Sequence, residues 1–364
     1  MTHRALALLS GVRLRHNLSV ARDESNGANI YGVVKADAYG HGLIETARRL
    51  FDAGVDGLAV ATLEEAETVR RAHTTLPILL LEGAIDAAEA ARARALKLDL
   101  VVHCQEQIDL LSGSDGHPGR VWLKHDSGMH RLGLESGACA NAWWQLRSAF
   151  PALELGLISH FASADEADQA FARDQQEQFS RLGARLGAQA VSNSNSAALL
   201  RGFGADTRWV RPGLMLYGLS PFDPWDKDVP VAARRLQPVM QLASEVISVV
   251  PVPAGESVGY GRGWRADKDS RIAVVACGYG DGYPRHAPSG TPVLINGQSV
   301  PLAGRVSMDM LSVDVTGLAS VKRGDPVLLW GDGLPAEAIA QRCGTIAYEL
   351  VCKVTARVPR RWVD

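Results

Sequence analysis

Short, continuous apolar runs recur through the first 220 residues: Ile30–Val34, Gly57–Ala61, Ile78–Leu81, Leu98–Val102, Val121–Leu123, Leu155–Ser159, Ala188–Val191 and Trp209–Val210. They do not alternate with polar residues, which is how a strand covered on both faces reads. Between them, segments such as Leu43–Ala53 and Leu63–Ala72 place apolar residues three and four apart, the spacing of an amphipathic helix. Strand and helix alternate over about the length a (β/α)8 barrel needs. The pattern therefore predicts an α/β fold with an N-terminal TIM-type barrel over residues 1–232. After Pro230 the helical period nearly vanishes. Runs such as Glu245–Val250, Ile272–Ala276, Val293–Ile295, Leu311–Val315 and Val327–Trp330 are separated by Gly, Pro and Asp turn signals. They predict a separate, mostly-β C-terminal domain over residues 233–364.

The bulk numbers fit two domains of an ordinary globular chain. It has 364 residues, 46% apolar and 21% charged, with a net charge of −2. No Lys/Arg-rich run offers a grip to a nucleic acid or an anionic membrane, so neither is expected as a partner. The five cysteines, Cys104, Cys139, Cys277, Cys343 and Cys352, are scattered and never spaced as C-x-x-C. No disulfide framework or metal site is expected from them, and a reducing cytoplasm is the expected compartment. The apolar start Ala5–Leu9 is too short for the core of a signal peptide.

The residue following each barrel run is often polar or charged: Lys35, Thr62, Glu82, His103, Lys124, His160, Ser192 and Arg211. In a (β/α)8 barrel these positions share one rim, the face that carries chemistry. A solvated strand end accounts for any one of them, but less well for a Lys, a His and an Arg together. Lys35 stands out, because small residues around it leave space above the rim. A partly desolvated lysine loses proton affinity and becomes a nucleophile toward aldehydes. Tyr39 follows one turn later with a hydroxyl for an anion or a base.

The segment from Val33 to Gly42, Val-Val-Lys-Ala-Asp-Ala-Tyr-Gly-His-Gly, resembles the pyridoxal-phosphate attachment motif of alanine racemases. That family has an N-terminal barrel and a C-terminal β domain. Similar blocks run through both: Leu123–Gly133, Ile158–Ala162, Asn195-Ser196, Arg211–Gly218, Ser257–Arg262, Ala276–Arg285, Gly304–Asp309 and Arg357–Arg360. The resemblance implies pyridoxal 5'-phosphate as cofactor, held covalently by Lys35, with its phosphate on Tyr39, Ser196, Gly213 and Leu214. It implies that Arg211 faces the pyridine nitrogen. Arginine cannot accept that nitrogen's proton, which favours quick reprotonation of the substrate carbon over transamination. Arg131 is implied to bind the substrate carboxylate, which its N–H fork suits. Lys124 is implied to orient Arg131, in carbamylated form in many members. His160 is implied to hydrogen-bond Tyr260.

Racemisation removes a proton from one face of a planar carbon and returns it to the other, so one base per face suffices. By resemblance these are Lys35, for the D-alanine proton, and Tyr260, for the L-alanine proton. Tyr279 and Met308 are implied to narrow the entrance around alanine. A homodimer with shared active sites is implied, as is a role in supplying D-alanine for peptidoglycan or in alanine catabolism. Three positions depart from the pattern. Ala356 stands where several members have a phosphate-contacting Tyr, Ser192 where some have His, and Ser307 where some have Cys. Rival readings are a decarboxylase of the same architecture, which should put an acid where Arg211 stands, and a non-catalytic cofactor carrier, which should lack the β domain. A broad-specificity racemase of the exported kind should carry a signal peptide.

Overall fold

The computed structural model describes residues 4–72, 75–112, 118–204, 207–223 and 226–364. The chain divides into two compact units. One comprises Leu14–Ala38 and Gly42–Leu236; the other comprises the residues up to Arg13, Tyr39–His41 and Gln237–Asp364. The first strand, β1 (Leu6–Leu9), belongs to the second of these.

The first unit is the barrel. Its strands are β2 (Asn29–Val33), β3 (Gly57–Val60), β4 (Ile78–Leu80), β5 (Asp99–Val102), β6 (Arg120–Lys124), β7 (Glu154–Ile158), β8 (Ala190–Ser192) and β9 (Trp209–Val210). All pair in parallel in the order β8-β7-β6-β5-β4-β3-β2-β9. The two ends of this order meet through Arg208 N donating to Val191 O at 3.1 Å and Arg211 N donating to Ser194 O at 2.9 Å, so the sheet nearly closes. The continuous apolar runs are buried as expected: all four residues of β3 and all three of β4 lie inside. Helix Leu43–Asp52 turns Leu43, Thr46, Ala47 and Leu50 inward, the spacing that marked it in the sequence.

One polar residue is buried at the start of β5. Asp99 is tolerated there because its carboxylate accepts from the Tyr31 hydroxyl and, at 2.7 Å, from Arg120 N. Tyr31 in turn stacks on Trp209 with ring centroids 4.0 Å apart. Side chains thus pack closely on one another around Asp99.

The second unit is a mostly antiparallel assembly around one long strand, β10 (Met240–Val252). After it come β11 (Ser257–Val258), β12 (Trp264–Arg265), β13 (Ser270–Val275), β14 (Pro292–Ile295), β15 (Gln298–Pro301), β16 (Leu311–Asp314), β17 (Pro326–Trp330) and β18 (Arg360–Trp362). The main path runs β15-β14-β17-β10-β1-β18, with β13 joining β10 to β16. β10 changes register against both β13 and β17, which lets one strand serve two directions of the sheet.

One expectation is corrected here. A barrel running from residue 1 is not what forms: β1 pairs antiparallel with β10 and parallel with β18. The C-terminal part also carries two helices, Ala336–Arg342 and Ala347–Cys352. At seven and six residues they are too short for a helical period to register in the sequence. All five cysteines are free thiols.

Candidate active site

The barrel strands end at one rim, and the predicted chemistry gathers there. Lys35 follows β2 and is half-buried. The chain then does something the sequence does not advertise. Ala36, Asp37, Ala38 and Tyr39 all hold φ near +53°, a left-handed turn built without glycine. Such a conformation costs about 1–2 kcal/mol per L-residue. It persists because its amides are caught: Ala38 N donates to Val34 O at 2.9 Å, and Ala36 N donates to the Glu65 carboxylate at 2.7 Å. Asp37 closes the turn, its carboxylate accepting from Leu43 N at 2.8 Å.

Arg211 follows β9 and is 5% exposed. Its guanidinium donates to the Ser192 hydroxyl and, at 2.6 Å, to Ser159 O. Burial brings its pKa down to about 10, which leaves it charged at neutral pH. Lys124, the last residue of β6, is pushed down to about 8, first by burial and then by Arg211, Arg131 and Lys35, with Asp126 opposing. Burial and these same four cations, Lys124 included, hold His160 well below the ordinary histidine value, so its ring is neutral. Lys124, Ser127, Met129, Arg131, Ser159 and His160 line one small depression.

Arg131 is exposed on the loop that follows β6. The loop is tied at its base by Asp126 N to Leu134 O and Leu134 N to Lys124 O, both 2.9 Å. Inside it, the Asp126 carboxylate accepts from Gly128 N, His130 N and the His130 ring, which lowers its pKa despite burial. The fourth cluster lies between β8 and the short helical turn Leu214–Tyr217. Buried Ser196 accepts from Gly213 N at 2.9 Å and Met215 N at 3.3 Å, so hydroxyl and amides already converge on one spot. A cavity at the other end of the barrel is lined by Asn29, Arg120, Glu154, Ala190 and Trp209, which begin their strands, and lies away from this chemistry.

The remaining predicted residues lie in the second unit. Tyr39 is buried, which pushes its hydroxyl pKa far up. Its ring centroid lies 5.9 Å from that of Tyr348. Gly40, at φ +75°, is obligatory: a Cβ there would collide with the Val351 carbonyl. Tyr260 is 69% exposed, in a turn flanked by Gly259 and Gly261, both at positive φ. Tyr279 and Met308 are neighbours through Tyr279 N to Ser307 O at 3.0 Å and Gly280 N to Met308 O at 2.8 Å. Arg357 braces both loops, reaching Asp281 at 3.0 Å and Asp309 at 2.8 Å.

The geometry therefore brings Lys35, Lys124, Arg131, His160 and Arg211 into one electrostatic neighbourhood, with Ser196, Gly213 and Leu214 on the same rim. Tyr39, Tyr260, Tyr279 and Met308 belong to the other unit. Sequence reasoning missed Glu65 and the turn it holds. The Thr-x-x-Glu spacing of Thr62 and Glu65, a helix-capping signature, was the available signal.

Comparison with known proteins bears on the class. A barrel whose rim lysine stands among cations, followed by a β domain, defines a pyridoxal-phosphate-dependent isomerase of the barrel-plus-β-domain kind. Residues 10–221 match the family model "Alanine racemase, N-terminal domain" and residues 239–362 match "Alanine racemase, C-terminal domain". The chain is 49% identical over 352 residues to the biosynthetic alanine racemase of Pseudomonas aeruginosa, covering 96% of each. It is also 49% identical over 353 residues to the alanine racemase of Stutzerimonas stutzeri, again 96% of each. The crystal structure of the Pseudomonas aeruginosa biosynthetic enzyme matches with a TM-score of 0.94 at 46% identity over all of both chains. That of alanine racemase from Bartonella henselae with covalently bound pyridoxal phosphate matches at 0.89 and 27% identity, covering 99% and 100%. The chain belongs to the alanine racemase family.

Proposed function

We propose that the chain interconverts L- and D-alanine with Lys35 and Tyr260 as the two bases. The observation that carries this reading is the barrel rim: a lysine at the end of β2 stands in a cluster with Lys124, Arg131 and Arg211, around a neutral His160. Excess positive charge suits a site for two anions, a phosphate and a carboxylate. The Ser196 hydroxyl and the Gly213 amide, already together, suit a phosphate, with Leu214 and Tyr39 proposed to join them, so the residues present suit pyridoxal phosphate. When bound, it supplies an aldehyde for amino groups and a ring that acidifies the substrate's α-hydrogen.

Lys35 would hold the cofactor and, as a free amine, would move the proton on its own face of the substrate carbon. Tyr260 serves the opposite face. Arg131 takes the substrate carboxylate in its fork. Arg211 would face the cofactor ring with N–H donors and no site for a proton, which would limit electron withdrawal and favour return of the proton over transamination. His160, neutral in this field, supplies a hydrogen bond to Tyr260 rather than an acid. Tyr279 and Met308 restrict the side chain to about a methyl.

We infer a homodimer in which one chain's β domain covers its partner's barrel mouth. This is supported by Lys35 and Tyr260 belonging to different compact units and by the exposure of Tyr260. Supply of D-alanine for peptidoglycan in the cytoplasm is the proposed role, resting on the biosynthetic relatives. Among the described residues no helix is long and apolar enough to cross a membrane. The test is chiral chromatography of products from L-alanine, L-serine and L-lysine, with borohydride trapping and peptide mapping of the holoenzyme. Alanine turned over best and Lys35 labelled are the expected results. Equal turnover of lysine, or label on another residue, overturns the reading.

A further inference from the structure

The left-handed turn after Lys35 needs an outside brace, and one side chain provides it. Glu65 is half-buried at the third position of helix Leu63–Arg71. One carboxylate oxygen accepts from Ala36 N at 2.7 Å; the other accepts from Ala61 N at 3.0 Å and Thr62 N at 3.3 Å. The second set is an ordinary helix cap, completed by Glu65 N donating to the Thr62 hydroxyl at 3.3 Å. The first bond is not: it reaches 29 residues back, to the amide next to Lys35. β2 and β3 already share a parallel register, and Val34 N donates to Ala59 O at 2.8 Å. Glu65 extends that register one step past the strand ends, where the backbone turns left-handed and the ladder stops.

We propose that Glu65 is a positioning residue for Lys35. Its carboxylate bridges the amides at the ends of β2 and β3 and holds Ala36–Tyr39 in the left-handed turn, which fixes the direction in which Lys35 leaves the rim. The proposal rests on the reading of Lys35 as the cofactor lysine. A carboxylate is required, since both its oxygens accept. An amide can accept on one side only and would turn N–H toward N–H on the other.

The test compares Glu65→Gln with Thr62→Ala in holoenzyme. Thr62→Ala weakens the cap but leaves the bond to Ala36 N. Three readouts are taken: hydrogen exchange of the amides in residues 36–43, the pH titration of the bound cofactor's visible absorbance, and kcat against KM for alanine. For Glu65→Gln the expectation is exchange faster by about tenfold or more, a displaced absorbance titration, and kcat lower by about tenfold or more with KM within about twofold. Thr62→Ala should lower thermal stability and change none of the three. Glu65→Asp, too short to span both amides but still charged at the helix start, should repeat the Gln result if the latter does not fold.

Unchanged exchange in Glu65→Gln, or faster exchange with unchanged kcat, overturns the proposal. Thr62→Ala reproducing the kcat loss does so too, because capping alone would then explain it. Borohydride label on a lysine other than Lys35 removes the underlying reading and this proposal with it. The exchange data would still report whether Glu65 holds the turn.

Discussion

Lys124 offers a quantitative prediction, because its surroundings make the protonated amine costly. Burial and three neighbouring cations lower its pKa from 10.5 to about 8. At pH 7 roughly a tenth of the side chain is then the neutral amine, against about three in ten thousand for a free lysine, an enrichment on the order of 300-fold. The neutral amine is the form that attacks carbon dioxide, and the resulting carbamate replaces a positive charge by a negative one beside Arg131 and Arg211. Converted to free energy, the shift means that the ammonium destabilises the fold by at most about 3 kcal/mol. The sign follows from the folded value lying below the unfolded one. The cost is full below about pH 8, shrinks as pH rises toward 10.5, and is gone above that.

In carbon-dioxide-free buffer at pH 7, Lys124→Met should therefore be more stable than the unaltered protein, with the advantage fading toward pH 10.5. Adding bicarbonate should stabilise the unaltered protein and not the variant. In 13C-bicarbonate, NMR should show a carbamate resonance that Lys124→Met lacks. If the carbamate of Lys124 orients Arg131, the variant should also have a higher KM for alanine. Absence of the resonance, together with no stability gain in the variant at pH 7, would refute the reasoning.

Three further outcomes are expected. Arg211→Glu places a proton-accepting partner where the guanidinium stands; racemisation should slow and a new long-wavelength absorbance should appear during turnover, and unchanged activity without that band removes Arg211 from the ring. Trimming Tyr279 or Met308 should raise serine turnover relative to alanine, because an apolar pocket rejects by crowding; a proportional loss for both substrates speaks against a selectivity role. Dimers formed at random from Lys35→Ala and Tyr260→Phe chains should recover about a quarter of their sites if sites are shared; activity no higher than either parent means each chain builds its own.

The barrel was legible because buried parallel strands write continuous apolar runs, and because its rim sits at one predictable point, the residue after each run. That rule picks out Lys35, Lys124, His160 and Arg211, which the structure brings into one electrostatic neighbourhood. The Arg131 loop and the Ser196–Gly213 cluster were not picked out; resemblance pointed to them, since an exposed loop arginine and converging backbone amides leave no mark in the pattern of apolar runs. β1 was missed because four residues give no period and its partners β10 and β18 lie more than 200 positions away. The left-handed turn was missed for a different reason. Left-handed backbone is usually signalled by Gly or Asn, and Ala-Asp-Ala-Tyr signals helix or nothing. Tertiary bonds, chiefly those from Glu65 and Asp37, overrule local preference there.

The electrostatics of the rim limits which of its groups can transfer a proton. Lys35, Lys124, Arg131 and Arg211 act together on His160, and the nearby carboxylate, Asp126, is already engaged by the amides of its own loop. A histidine in such a field cannot carry a proton near neutral pH, so the usual candidate for acid–base work is excluded although it stands at the rim. An arginine as buried as Arg211 still has a pKa of about 10 and cannot serve as a base either. Under the proposed two-base reading, proton movement falls instead to Lys35 of the barrel unit and Tyr260 of the β unit. The neutral His160 and the permanently charged Arg211 support that proposed division, because neither can do the work in their place.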